Sequence, residues 1–334
     1  MSSIAVFGAG NIGCYVGGRL ATAGARVRFI GRSRMADTLV QQGLTLSDLQ
    51  GWQATLPAEQ LRFGSDPAAV ADADLVLVTV KSADTAGAAA AIAPHLKPSA
   101  VVLSLQNGLH NAEQLAALLP QHAVLTGVVL FNVAQTGGGH FHQGTEGGLA
   151  VERSALLEPA VAASERAGLA LVQHDDILAV QWAKLLFNLN NAVNALSGLP
   201  LKAELSQRAY RRVLAAAQRE GIALLRAKQQ PLARLTPLPA HWGPALLEMP
   251  DTLFRMVASK MLAIDPLARS SMQDDLVGGR RTEIDYLQGE ILRLAASLGR
   301  PAPVNARLLQ LVRAAEQGGR RDWSGEALLA EIRA

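Results

Sequence analysis

The chain has 334 residues, of which 49% are hydrophobic and 18% are charged, and its formal net charge is +3. This length suits two domains, and the hydrophobic content is typical of globular domains with large cores, which excludes a disordered protein. The arginines are scattered or lie in the C-terminal tail, without a dense basic stripe or a recognisable module, so nucleic-acid binding is not expected.

A few positions indicate the compartment. Cys14 is the single cysteine, which excludes an internal disulfide framework and fits a reducing environment. A β-rich run starts at Ile4, so we expect no cleavable signal in front of it. The uncharged stretch 120–145 is interrupted by Gly, Gln, Asn and His and does not fit a membrane span. We therefore expect a cytoplasmic protein outside the membrane.

A glycine motif follows the first β-rich run. The run Ile4–Phe7 leads into Gly-x-Gly-x-x-Gly and then into a helix-compatible segment. In a turn that holds a dinucleotide pyrophosphate, the first glycine permits a tight turn, the second lets the backbone approach the phosphate, and the third lets the helix pack on the strand. The helix N-terminus then offers N–H groups to the anion. A tight turn without a ligand is the alternative. The residues predicted to hold the cofactor are Gly8, Ala9, Gly10, Asn11, Ile12 and Gly13.

The residues after the second strand indicate which dinucleotide binds. That strand is predicted over residues 25–30, and Gly31-Arg32-Ser33-Arg34 follows it. A site for NAD usually carries Asp or Glu about 20 residues after the glycines, and none is present in this stretch. A guanidinium pairs well with a 2′-phosphate. The sequence therefore predicts NADP(H), with Arg32 at the phosphate; ordinary surface arginines are the alternative.

Further apolar strands continue the first domain. Helices separate them, at residues 83–93 and 110–119, and the strands are predicted over residues 74–80, 100–104 and 123–131. Apolar strands that alternate with helices indicate a parallel sheet buried on both faces. We therefore predict a Rossmann-type, doubly wound α/β domain over residues 1–174.

Polar residues follow two of these strands. Ligands of a doubly wound sheet bind beyond the carboxyl ends of its strands, where this chain carries Lys81 and Asn107. The glycine-rich segment 137–148 contains His140 and His142. It is predicted to be a hairpin rather than a metal site, because no third ligand is in view.

Helical patterns dominate from about residue 175 onward. They predict helices over residues 176–197, 203–228, 243–262, 281–298 and 303–316. An all-α domain over residues 175–334 is therefore predicted.

One of these helices carries a polar face. Lys184, Asn188 and Asn191 are spaced i, i+4, i+7 and share a face among apolar residues. An unpaired buried ammonium is costly, so this lysine needs polar partners. It is suited to stabilise an oxyanion and to donate a proton to it. The alternative is a lysine whose ammonium extends to solvent.

A second polar stretch covers residues 270–290. Ser271 lies near its start, and Thr282-Glu283 is predicted to open a new helix as an N-terminal cap does. The helix dipole favours a carboxylate in a first turn, which by itself explains Glu283. The other carboxylates of the stretch are expected at the surface or in caps: Asp274, Asp275 and Asp285.

In these residues the chain resembles the ketopantoate reductase family over nearly its whole length. The resemblance rests on GAGNIG and the GG that follows it, VTVKS at 78–82, SLQNG at 104–108, WAKLLFN at 182–188 and SSMQDDL…GRRTEIDYLQG at 270–289. It implies an NADPH-linked reduction of the 2-oxo acid ketopantoate to pantoate, on the route to pantothenate. It places the family's catalytic lysine on Lys184 and its acidic partner, also near the cofactor, on Glu283. The active-site asparagines fall on Asn107 and Asn188, the substrate serine on Ser271, the cofactor arginine on Arg32 and the strand-end lysine on Lys81; Asn107 is also expected at the cofactor.

The resemblance has a gap. The family commonly has a further substrate asparagine eight residues past the lysine, where this chain has Ala192 between Asn191 and Asn194. Asn191 is therefore predicted to bind the substrate in place of the missing asparagine. Residues 203–270 also look longer than in compact members. A paralogous reductase of another 2-oxo acid, and a non-enzymatic NADPH-binding sensor, are therefore kept as alternatives. A homodimer is considered as an assembly, although the sequence does not determine the oligomeric state.

Overall fold

The computed structural model describes residues 3–258, 265–266 and 268–333. The chain divides into two compact units, Met1–Ile177 and Leu178–Ala334. The first is built on a largely parallel sheet and the second is helical, which confirms the predicted fold class. Among the described residues, no helix has the length and apolar character that crossing a bilayer requires.

The strands of the first unit are short, and each apolar run predicted from the sequence coincides with one to within a few residues. The strands are β1 (Ser3–Phe7), β2 (Arg26–Ile30), β3 (Leu44–Asp48), β4 (Gln53–Leu56), β5 (Arg62–Gly64), β6 (Leu75–Val78), β7 (Val101–Ser104), β8 (Ala123–Val129), β9 (Val133–Gly137), β10 (His140–Gln143), β11 (Leu149–Glu152) and β12 (Leu171–His174).

The main sheet has the order β12-β11-β8-β7-β6-β1-β2-β5. Its pairs are parallel except for β11 with β8. The run from β5 to β8 follows the doubly wound strand order. Every residue of β6 and β7 is buried, as expected for strands covered on both faces. Since β1, β6 and β7 are parallel neighbours, their carboxyl ends meet at one edge of the sheet.

A second, four-stranded sheet with the order β4-β3-β10-β9 was not predicted as a sheet. The β9–β10 pair is antiparallel, so a hairpin is present, but its strands span residues 133–143 rather than the predicted 137–148. In β3, fully buried Leu44 and Leu46 alternate with partly exposed residues. The Oγ atom of Ser47 lies 2.7 Å from Nε2 of His140 and 2.8 Å from Nδ1 of His142. Short strands with one buried face give only a weak local signal, which explains why β3 and β4 were missed.

Helices flank the strands of the first unit. They are α1 (Asn11–Thr22), α2 (Ser33–Gln42), α3 (Thr85–Ile92), α4 (Asn111–Leu118) and α5 (Glu158–Arg166). The predicted helices at 83–93 and 110–119 correspond to α3 and α4.

The helices from the boundary onward are α6 (Ile177–Asn188), α7 (Asn190–Ser197), α8 (Leu201–Leu205), α9 (Arg208–Ala227), α10 (Gly243–Leu247), α11 (Asp251–Val257), α12 (Ser271–Val277), α13 (Gln288–Ser297), α14 (Pro303–Glu316) and α15 (Gly325–Glu331). In this second unit α9 packs against α10, α13, α14 and α15, and α7 packs against α12 and α14. This packing brings the segments that follow residues 184 and 270 together.

Some predicted helices are interrupted. The helix predicted over residues 243–262 is two helices, because Pro250 precedes α11; residues 259–262 of that prediction lie outside the described residues. The helix predicted over residues 176–197 is divided at Leu189, although the N–H of Leu189 still donates to the carbonyl of Leu185. A 3₁₀ turn over Ile284–Tyr286 precedes α13, where one helix over 281–298 was predicted.

Candidate active site

The glycine turn joins β1 to α1 at the edge of the sheet. The N–H groups of Gly8 and Ala9 both donate to the carbonyl of Ile30, at 2.9 and 3.0 Å, which ties the turn to the end of β2. Gly8 has a φ of +107°, and a Cβ there would lie 2.5 Å from the backbone nitrogen of Val80. Only glycine fits this position.

The other two glycines differ in what surrounds them. A Cβ on Gly13 would lie 2.6 Å from both the carbonyl oxygen of Gly8 and Oγ1 of Thr79, so α1 packs directly on the turn. A Cβ on Gly10 would meet only the carbonyl oxygen of Gly8, at 3.9 Å. The space beside Gly10 is open to a ligand, and a side chain would fill it. This cradle fits a dinucleotide pyrophosphate.

The first turn of α1 keeps its N–H groups uncapped by a side chain, since its N-cap residue is Gly10. The Nδ2 of Asn11 donates to the carbonyl of Val133 at 3.2 Å and holds the turn against β9. Burial raises the pKa of the Cys14 thiol to about 12, so Cys14 is a packing residue rather than a reactive one.

Arg32 is the N-cap residue of α2 and its side chain is 86% exposed. Its guanidinium is therefore accessible to a ligand. The Oδ2 atom of Asp84 lies 3.8 Å from its Nη2. The sequence showed no acid after β2, but the fold brings one to this arginine from the turn after β6.

A buried polar network joins the ends of β6 and β7. The hydroxyl of Ser82 donates to the carbonyl of Asn107 at 2.8 Å, and the side-chain amide of Asn111 donates to the same carbonyl. The Nε2 of Gln106 donates to the carbonyl of Val80 at 3.1 Å. The structure thus fixes the backbone next to Lys81 and at Asn107 at the same sheet edge as the glycine turn.

Lys184 lies on α6 in the second unit, and burial lowers its pKa to about 8. Between residues 182 and 197 the partly or largely exposed side chains are those of Lys184, Phe187, Asn188 and Asn191. The structure therefore places the three predicted polar residues at partly open positions among buried neighbours. A lysine with this pKa is mostly protonated at neutral pH and gives up its proton more readily than an ordinary lysine.

Asn191 and Asn194 flank Ala192, the position at which the family commonly has an asparagine. Ala192 is fully buried. Asn194 is also fully buried: its Oδ1 accepts from the N–H of Ser270 at 3.0 Å, and its Nδ2 donates to the carbonyl of Leu199 at 2.9 Å. Asn191 is partly exposed. Of the two flanking asparagines, Asn191 is therefore the one with a side chain open to a ligand.

Glu204 forms part of the same buried network. Its Oε2 accepts from Nδ2 of Asn190 at 3.0 Å, and neither residue is more than 7% exposed. Within the described part of the chain, neither its Oε1 nor the Oδ1 of Asn190 accepts a hydrogen bond. Burial raises the pKa of Glu204 to about 8, above its ordinary value of 4.5. A protonated carboxyl satisfies this surrounding better than a carboxylate, because its hydroxyl is a donor.

We expect Glu204→Gln to change the pH dependence of stability. Because the pKa of Glu204 is raised on folding, its contribution is fully present below about pH 4.5 and is lost as the pH rises through about 8. Glutamine keeps the neutral shape, so the Tm of the variant relative to the unchanged protein should rise between about pH 5 and about pH 8. Thermal unfolding at constant salt measures this. Glu165→Gln, at an exposed position on α5, serves as a control, and a pH-independent difference for Glu204→Gln contradicts the raised pKa.

Ser271 is the first residue of α12 and is exposed. The preceding Ser270 caps the helix, since its Oγ accepts from the N–H of Gln273 at 3.1 Å. The same hydroxyl donates to the carbonyl of Asn191 at 3.4 Å. The structure therefore brings the start of α12 to α7, next to one of the predicted substrate residues.

Glu283 is partly exposed and precedes the 3₁₀ turn rather than a regular α-helix. Its neighbour Thr282 donates from both its N–H and its hydroxyl to Oε1 of Glu316, at 2.7 Å each. The Thr282 hydroxyl also accepts from the N–H of Ile284 at 3.3 Å, so the predicted capping role of this threonine is present locally. Glu316, at the end of α14, thereby holds the backbone that carries Glu283.

The prediction of a surface or capping carboxylate is wrong for Asp275. Asp275 is only 4% exposed and accepts from Nε of Arg280 at 3.0 Å, so it is a buried, paired group. Asp285 is more open and pairs with Arg313. Asp275 lies on the inner side of α12, which the polar sequence around it did not reveal.

Two buried glutamines support the segment that carries Lys184 and Asn188 and were not predicted from the sequence. The Nε2 of Gln288 donates to the carbonyl of Leu189 at 2.9 Å, at the break between α6 and α7, and Gln218 donates to the carbonyl of Leu186 at 3.1 Å. Gln288 is fully buried. A glutamine in a helical pattern usually faces solvent, so only the packing identifies these two as supports of the segment that carries Lys184 and Asn188.

Comparisons with known proteins cover both units. Residues 4–155 match the family described as "Ketopantoate reductase PanE/ApbA", and residues 176–316 match "Ketopantoate reductase PanE/ApbA C terminal". A 2-dehydropantoate 2-reductase of Halobacterium salinarum is 32% identical over 95% of this chain and 99% of its own length.

Solved structures give the same picture. A PanE/ApbA family ketopantoate reductase from Ralstonia eutropha superposes with a TM-score of 0.79 and 34% identity, covering 95% of this chain and 99% of that one. D-mandelate dehydrogenase, solved with NADH and anilino(oxo)acetate, has a TM-score of 0.76 at 21% identity, over 95% of this chain and 99% of that one. At this identity the second likeness concerns the fold alone.

Proposed function

The chain belongs to the ketopantoate reductase family, and we propose that it reduces ketopantoate to pantoate with NADPH. Membership makes it an oxidoreductase that acts on CH–OH groups with a nicotinamide dinucleotide, rather than a non-enzymatic sensor. Our proposal adds the 2-oxo acid, the phosphorylated form of the cofactor and the residues that act. A cytoplasmic location and a homodimer remain predictions from the sequence.

The observation that carries this proposal is the state of Lys184. Its lowered pKa and partly open position suit a group that donates a proton to substrate. When bound in the first unit, NADPH would supply the hydride that the 2-oxo carbon accepts. Lys184 then stabilises the negative charge that develops on the substrate oxygen and protonates it.

The other residues hold the substrate and the cofactor. We assign the carboxylate of the substrate to Ser271. The other polar groups of the substrate are assigned to Asn188 and Asn191. The start of α12, which carries Ser271, lies next to Asn191 on α7. Glu283, held through Thr282, is assigned to the distal hydroxyl of ketopantoate or to orienting Lys184. In the first unit we assign the pyrophosphate to the glycine turn, and the backbone support at Lys81 and Asn107 fits a role in placing the nicotinamide end.

The test of this function compares substrates. Purified protein with NADPH should reduce ketopantoate. Its kcat/KM for ketopantoate should exceed its kcat/KM for the matching 2-oxo acid without the distal hydroxyl. The loss of NADPH absorbance measures both rates. Ala192 favours a second candidate, a paralogue for another 2-oxo acid, because it removes one amide from the expected set. A preference of about tenfold or more for the unhydroxylated acid supports the paralogue and removes the role of Glu283 in reading the hydroxyl.

We expect Glu283→Ala to lose more activity on ketopantoate than Asn191→Ala. Loss of one neutral hydrogen bond costs about 0.5–1.5 kcal/mol, so Asn191→Ala should lower kcat/KM by about tenfold at most. A charged partner contributes more, so the loss for Glu283→Ala should exceed that. Steady-state kinetics on both variants, with NADPH binding as a check of folding, measures the order. The reverse order places the main substrate contact on α7.

A further inference from the structure

A carboxylate lies beside the arginine assigned to the cofactor's 2′-phosphate. Oδ2 of Asp84 is 3.8 Å from Nη2 of Arg32, and the two side chains are 55% and 86% exposed. Asp84 is the residue before α3, yet its carboxylate makes no capping bond to that helix. The carboxylate of Asp84 therefore pairs with Arg32 and does not cap its own helix.

The position of Asp84 is fixed by buried neighbours. Its N–H donates to the carbonyl of Lys81 at 2.8 Å. Ser82 is 2% exposed and donates to the carbonyl of Asn107, while Thr85 is fully buried and lies 2.8 Å from Oδ1 of Asn111. The backbone on both sides of Asp84 is thus held at the edge of the sheet, at a position from which the carboxylate reaches Arg32.

We propose that Asp84 sets cofactor selectivity: its carboxylate competes with a 2′-phosphate for Arg32 and so lowers the preference for NADPH over NADH. This inference rests on the proposed function, which assigns Arg32 to that phosphate. A phosphate must displace the existing ion pair between Asp84 and Arg32 before it can pair with the arginine. A 2′-hydroxyl carries no charge and can donate to a carboxylate, so NADH gains nothing from the removal of Asp84.

The test is the binding of both dinucleotides to Asp84→Asn, measured by fluorescence titration. An exposed ion pair contributes a factor of up to about five, so the Kd for NADPH should fall about two- to fivefold at low salt. The Kd for NADH should stay the same or rise. The gain for NADPH should shrink toward nothing at about 1 M salt, because the Debye length is then about 3 Å. Asp37→Asn, an exposed residue of α2 with the same change of charge, is the control and should leave both values unchanged.

A double variant separates competition for Arg32 from other effects. In an Arg32→Ala background, Asp84→Asn should no longer improve NADPH binding by more than about 1.5-fold. The role of Asp84 is overturned if its removal changes both cofactors equally, if Asp37→Asn acts alike, or if the gain persists at high salt. Wild-type protein that binds neither dinucleotide overturns the proposed function and this inference with it. Wild-type binding with an unchanged ratio in Asp84→Asn overturns only the inference.

Discussion

Replacing Lys184 by alanine should lower kcat for ketopantoate reduction by at least about 100-fold, the usual size of a general-acid contribution. NADPH binding, measured by fluorescence, should change by less than about twofold, because the dinucleotide is assigned to residues of the first unit. Lys202→Ala, at an exposed position on α8, is the matched control and should retain its activity. A Lys184→Ala variant that keeps most of its kcat shows that the proton comes from another group.

The pH dependence gives the sign of the same role. With a pKa of about 8, Lys184 is protonated below that pH and able to donate. The kcat/KM for reduction should therefore be level below about pH 8 and fall roughly tenfold per pH unit above it, while pantoate oxidation, which needs the neutral amine, should rise over the same range. Lys184→Arg keeps a positive charge but cannot release its proton, so it should lose this pH step.

Replacing Arg32 by alanine should weaken NADPH binding by about ten- to a hundredfold, because a charge-assisted pair with the 2′-phosphate contributes about 1.5–3 kcal/mol. NADH binding should change by less than about threefold. Arg166→Ala, on an exposed part of α5, removes the same charge at a distance and should leave both affinities unchanged. Equal losses for both cofactors in Arg32→Ala contradict the assignment of this arginine to the phosphate.

The two variants test different halves of the proposal. Lys184→Ala should impair chemistry with the cofactor bound, whereas Arg32→Ala should impair selection between cofactors with the proton donor in place. If Arg32→Ala lowers kcat at saturating NADPH as strongly as Lys184→Ala does, the separation into a cofactor residue and a catalytic residue is wrong.

Local patterns in the sequence were enough to predict the glycine turn, the central strands and the polar positions of α6 and α7. The glycine spacing identifies the β1–α1 turn, since backbone conformation and close packing at Gly8 and Gly13 exclude a Cβ. Mostly apolar runs identify β6 and β7, because strands buried on both faces consist largely of apolar residues. The i, i+4, i+7 spacing marked Lys184, Asn188 and Asn191, all of which lie at partly open positions.

Only the tertiary structure decided what surrounds these groups. It brings Asp84 to Arg32, binds Asn194 to Ser270 while leaving Asn191 partly exposed, buries Asp275 and lowers the pKa of Lys184. Each of these depends on segments far apart in the chain, or on how much solvent the neighbouring elements exclude. A local pattern records which conformation a segment favours; it carries no information about which distant carboxylate or carbonyl the folded chain places beside a side chain, and that placement determines charge pairing and desolvation.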